Sequence, residues 1–210
     1  MACFFLFFSP FKRESVCVFV CSKAYLFSFE IFYALSMEGQ DLGLDARAIC
    51  SAIGQNSGLI RLDLSMTLGI DAAAVRPICL GCTKIQDLNL SWSSLDQEAI
   101  ITICSNLPDT VTRLNLAGSL NKSSLNDEAV ERLVTNCRNL KELDLSDNIN
   151  ITERGLQIIN CLPQLESLSL NRCYVRAPPH HAILSLHFPL SHCNLTTLSS
   201  YFGFCSHPWK

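Results

Sequence analysis

The chain has 210 residues, of which 49% are hydrophobic, and a formal net charge of −3. That length holds one or two domains with a sizeable core, and a mean hydropathy of +0.25 is high for a soluble protein. The acidic balance argues against binding driven by a basic face, so no nucleic-acid partner is expected.

Residues 1–30 carry a dense load of Phe, Cys and Val. The first apolar run, Ala2 to Phe8, has no positive charge before it beyond the amino terminus, and Pro10, Lys12, Arg13 and Glu14 interrupt it. It falls short of the roughly 18–20 residues a membrane span needs, and no membrane partner is expected. The segment reads as an apolar, Cys-rich leader. A cleaved secretory signal stays open beside a non-structural leader. Three glycosylation triplets, Asn121-Lys122-Ser123, Asn150-Ile151-Thr152 and Asn194-Leu195-Thr196, would suit a secreted route.

From residue 31 to 175 the sequence repeats itself. Five segments share one template: SGLIRLDLS, TKIQDLNLS, DTVTRLNLA, RNLKELDLS and PQLESLSLN. Their central leucines stand at 62, 88, 114, 143 and 168, with periods of 26, 26, 29 and 25 residues. A sixth copy, Phe32/Leu35/Met37, precedes them by 27 residues. The spacing is L-x-x-L-x-L and the periods fall in the leucine-rich-repeat range of roughly 20–29. Within each copy, period-2 alternation predicts a short strand with Leu62 and Leu64 inward and Arg61, Asp63 and Ser65 outward.

After the strands come apolar patterns near period 3.6, at Ala99/Ile100/Ile103/Cys104/Leu107, at Ala129/Val130/Leu133/Val134/Cys137 and at Leu156/Ile158/Ile159/Leu162. Asp96, Asn126 and Thr152 stand where N-caps belong, ahead of Glu98, Glu128 and Glu153 in the first turn. One strand–loop–helix unit cannot bury its own leucines, so copies must stack. The expected fold is an α/β leucine-rich-repeat solenoid, a horseshoe with parallel strands on the concave face and helices on the convex face. Residues 176–210 read as a degenerate repeat, with Leu195/Leu198 a displaced strand, followed by an irregular tail.

Twelve cysteines are spread along the chain, and Cys82 and Cys137 occupy one repeat position, three before the first repeat leucine. Buried thiols in a reducing compartment explain that placement better than a disulfide framework. Cys79 and Cys82 form C-x-x-C without a second pair at zinc spacing, and the five histidines lie in the irregular tail. No metal and no cofactor are therefore expected. No Gly-rich phosphate loop, G-x-S-x-G elbow or H-E-x-x-H is present, and the chain reads as a non-enzyme.

Outward strand residues align in columns. One runs Asp63, Asn89, Asn115, Asp144 and Ser169; the next runs Arg61, Asp87, Arg113, Glu142 and Ser167. Short and charged side chains on a preformed sheet suit a polypeptide partner, and equally suit plain solvated surface. Two residues past the last repeat leucine lies a third column, Met66, Trp92, Gly118, Asp147 and Arg172. An exposed Trp on one rim with an Asp and an Arg has the composition of an interaction hot spot. The candidate binding residues are Trp92, Asp147, Arg172, Asn89, Asn115 and Asp144.

The runs LNLSW, VTRLNLAG, CRNLKELDLSD and LESLSLNRCY, with the longer loop GSLNKSSLNDE, resemble successive repeats of the S-phase kinase-associated protein 2 family, F-box proteins with leucine-rich repeats. The likeness covers roughly residues 32 to 175. It implies a substrate receptor of an SCF-type E3 ubiquitin ligase, sited in nucleus and cytoplasm. Implied partners are a Cks-type accessory protein and a phosphorylated CDK inhibitor or similar substrate, and Trp92, Asp147 and Arg172 match that surface. The residues ahead of the repeats lack the amphipathic helical pattern of an F-box, so the expectation is that this chain does not dock the Skp adaptor by itself. The alternatives are a generic interaction scaffold using the same face, and an extracellular repeat protein.

Overall fold

The computed structural model describes residues 16–18, 33–118 and 125–173. Short strands form one parallel sheet in chain order: β1 (Val16–Val18), β2 (Ala34–Ser36), β3 (Arg61–Asp63), β4 (Asp87–Asn89), β5 (Arg113–Asn115), β6 (Glu142–Asp144) and β7 (Ser167–Ser169). Five helices alternate with β2–β7: α1 (Ala46–Gly54), α2 (Ala72–Gly81), α3 (Gln97–Asn106), α4 (Asp127–Asn136) and α5 (Glu153–Ile159). Each helix packs on its chain neighbours and each strand pairs only with the next, the one-dimensional arrangement of a solenoid. The leucine-rich-repeat architecture is the one expected. β1 is an addition: three residues inside the 1–30 leader pair with β2, Val16 against Ala34.

The register explains why the leucines recur. Leu35, Leu62, Leu88, Leu114, Leu143 and Leu168 are consecutive partners across the sheet. Their side chains therefore stack in one inward column. The first five of them, together with Leu59, Leu64, Leu90, Leu116, Leu140 and Leu145, are buried against the inner faces of the helices, through Ile53, Ile78, Ile103 and Leu133. Leu165, Leu168 and Leu170 of the last described unit are only half-buried, because among the described residues no further unit stacks on them.

The helices start where their caps stand. Asp96, Asn126 and Thr152 each accept a backbone N–H of the first turn, from Ala99, Ala129 and Arg154 respectively. Asp71 does the same for α2 through Ala74, a cap not read from the sequence. α1 and α2 approach so closely that a Cβ on Gly54 would strike the Pro77 carbonyl and one on Gly81 the Gly54 carbonyl. Only glycine fits at that contact.

One expectation is corrected. Ser65 does not point outward with Arg61 and Asp63; it is 5% exposed, and Ser146 one position past Leu145 is buried likewise. The chain is already leaving the strand there, and the alternation ends. No helix among the described residues is long and apolar enough to cross a membrane. The tail from residue 174 on, with Leu195/Leu198, lies outside the described residues.

Candidate protein-binding face

The outward side of the sheet begins with Asn89, Asn115 and Asp144. They are neighbours in register across β4, β5 and β6, and all three are half-buried. Each has a local task. The side-chain oxygen of Asn89 accepts the Ser91 N–H at 3.1 Å, that of Asn115 the Ala117 N–H at 2.9 Å, and that of Asp144 the Ser146 N–H at 2.9 Å. Asp63 repeats the bond with Ser65 at 2.9 Å. These are Asx turns, which bend the chain out of the strand. The short Asp/Asn column thus has a folding role in addition to whatever it presents to a partner. Beside it, Arg113 sets Nε and Nη2 on Asp87 Oδ2 at 3.1 and 2.9 Å, while Glu142 and Asp144 share the outer face of β6. With Ser167 and Ser169 these residues line a shallow groove.

The rim column has a property invisible in its side chains. Met66, Trp92, Gly118, Asp147 and Arg172 all have positive φ, between 56° and 64°, and Gly39 in the first copy has φ 70°. Every unit thus leaves its strand through a left-handed residue. The turn is fixed by a continued backbone ladder: the N–H of Gly39, Met66, Trp92, Gly118 and Asp147 donates to the carbonyl of Ser65, Ser91, Ala117, Ser146 and Asn171 respectively. A non-glycine residue in this conformation costs about 1–2 kcal/mol. Four units accept that cost with side chains that include an aromatic and an ion pair.

Trp92 is 39% exposed and lies over Gly118, where a Cβ would sit 2.7 Å from its Cδ2 and Cε2. Arg172 clasps Asp147 with two bonds, Nη2 to Oδ2 at 2.6 Å and Nε to Oδ1. The structure therefore brings Asp147 and Arg172 into contact and sets Trp92 two repeats away, with Gly118 between them. Asn89, Asn115 and Asp144 line the adjoining sheet and not the rim.

Sequence reasoning missed a further column. Three residues past the last repeat leucine, Thr67, Ser93, Asn148 and Cys173 each donate to a carbonyl of the preceding unit: Met37, Leu64, Leu116 and Leu145, at 3.2, 3.2, 2.9 and 3.1 Å. Asn148 also donates to the carbonyls of Leu145 and Ser146. The repeat template with Asn or Cys at that place was the available signal. These side chains tie successive units together where the left-handed exit leaves carbonyls turned inward.

Cys50, Cys79, Cys82, Cys104 and Cys137 are buried free thiols, and for Cys82 and Cys137 burial is what their shared repeat position implies. Burial pushes the Cys79 and Cys137 thiols up to about 12 and that of Cys82 to about 11. Cys82 Sγ donates to the Ile53 carbonyl at 3.4 Å. Among the described residues no group of His, Cys, Asp and Glu is arranged to hold a metal ion.

Leucine-rich-repeat arrays typically present such a preformed face to another polypeptide. A family model described as the SKP2 LRR domain matches residues 22–204. Repeat spacing, register and that match agree, and the chain belongs to the SKP2 LRR domain family.

Proposed function

We propose that this chain is the substrate-recognition module of an SCF-type E3 ubiquitin ligase, directing phosphorylated cell-cycle regulators such as CDK inhibitors to proteasomal degradation. Its partners are a Cks-type accessory protein and the phosphorylated substrate, and its place is the nucleus and cytoplasm. Membership of the SKP2 LRR domain family supports the class. The observation that carries the reading is the rim: Trp92 over Gly118, and Asp147 with Arg172, on rigid left-handed turns beside a polar sheet. Such a surface offers an aromatic anchor and a planar cation at little conformational cost.

A specific observation also supports a generic protein-interaction scaffold. Asn89, Asn115 and Asp144 spend an acceptor on their own turns, and Arg172 is already on a carboxylate. The two readings are separated by co-precipitation of the tagged chain from dividing cells, probed for the Cks-type protein and for the Skp adaptor. Recovery of the Cks-type protein, with or without the adaptor, and its loss with Trp92→Ala, is the expected result. Recovery of neither leaves the scaffold reading.

A further inference from the structure

Asp147 and Arg172 look equivalent in the sequence, an acid and a base one repeat apart on the same column. In the structure they differ. The Arg172 side chain is 59% exposed and that of Asp147 only 16%. Both carboxylate oxygens face the guanidinium, one on Nε and one on Nη2. The Asp147 backbone is also pinned, with φ 64° and its N–H on the Asn171 carbonyl at 2.7 Å, one residue before Arg172. A partner approaching this rim meets the guanidinium before the carboxylate.

We infer that Asp147 is a positioning residue: it acts on partner binding through Arg172, by holding the guanidinium in one orientation across the boundary between the last two described units. The physical reason is entropic. An exposed Arg carries about 2 kcal/mol of rotamer entropy, which a partner must remove on binding unless the side chain is already ordered. A two-pronged carboxylate clamp does this while neutralising the charge. Arg172 is thereby a contact for a polar or carbonyl-rich protein surface, and its pairing disfavours capture of free anions. The inference rests on the proposed binding face but not on the identity of the partner.

Two measurements test it on the full chain. The first needs no partner: hydrogen exchange at the Arg172 Nε–H by NMR, assigned with Arg172→Lys. Asp147→Ala is expected to speed that exchange, and Asp147→Asn, which keeps one acceptor oxygen, to speed it less, with backbone amides of β6 unchanged. Unchanged exchange at Nε–H overturns the inference. The second is a double-mutant cycle with the purified Cks-type protein in titration calorimetry. Each of Asp147→Ala and Arg172→Ala is expected to weaken binding about tenfold, and the double variant to bind no more weakly than Arg172→Ala. Additive losses would mean that Asp147 touches the partner itself, which also overturns it. Absence of binding by the wild-type chain counts against the proposed function, and the exchange measurement still decides the role of Asp147.

Discussion

The Trp92 indole occupies the space that a side chain on Gly118 would need: a Cβ there would lie 2.7 Å from Cδ2 and from Cε2. Two adjacent units thus share one site on the rim, the first supplying the ring and the second its absence of a side chain. Gly118 also stands at φ 63°, so it answers to two requirements at once.

Gly118→Ala should therefore lift the indole from its seat and strain the turn. The expected loss is about 1–3 kcal/mol, read by urea denaturation. A red shift of the Trp92 emission should accompany it, in a background where Trp209 is replaced by Phe. Unshifted emission with lowered stability would mean that the backbone alone is responsible.

Leu143→Ala removes a buried member of the inward leucine column, flanked by Leu114 and Leu168. The expected cost is about 2–5 kcal/mol. Leu168→Ala, at a half-buried place in the last described unit, should cost clearly less. Equal losses would show that Leu168 is covered as well as Leu143 is.

Asn148→Leu should destabilise the chain although it buries more apolar surface. The Asn148 amide satisfies the carbonyls of Leu116 and Leu145, each at 2.9 Å, in a site 5% exposed. The Leu145 carbonyl keeps the Cys173 thiol, but leaving that of Leu116 unpaired costs about 1–3 kcal/mol. A melting temperature unchanged from wild type would count against that role.

The buried thiols predict a pH dependence. Burial raises Cys50, Cys79 and Cys137 from the ordinary 9.0 to about 12 and Cys82 to about 11, so the folded state keeps their protons when the unfolded chain has released them. Their contribution is complete below pH 9 and is lost as pH rises from there toward 11–12. Denaturation at stepped pH should show stability falling in that window, and less so when Cys79 and Cys82 are replaced by Ala or Val. At pH 8, iodoacetamide should reach the exposed Cys161 well before Cys79, Cys82 or Cys104, as mass spectrometry of the folded chain would show.

The sequence by itself determined the fold, the repeat positions, the helix caps at Asp96, Asn126 and Thr152, and the inert character of Cys82 and Cys137. All of these depend on local periodicity: an apolar residue at a fixed interval must face the interior, and a cap is satisfied within its own first turn. It also marked the column holding Trp92, Asp147 and Arg172 as unusual. Contacts between units were out of reach of that reading. That Asn148 bonds the preceding unit, that Trp92 lies on Gly118 and that Arg172 clasps Asp147 are all decided across a repeat boundary. Residues some 24 to 32 positions apart meet there only because stacking brings equivalent turns side by side. The left-handed conformation of the whole rim column belongs to the same class, since the ladder that fixes it runs from each unit to the next.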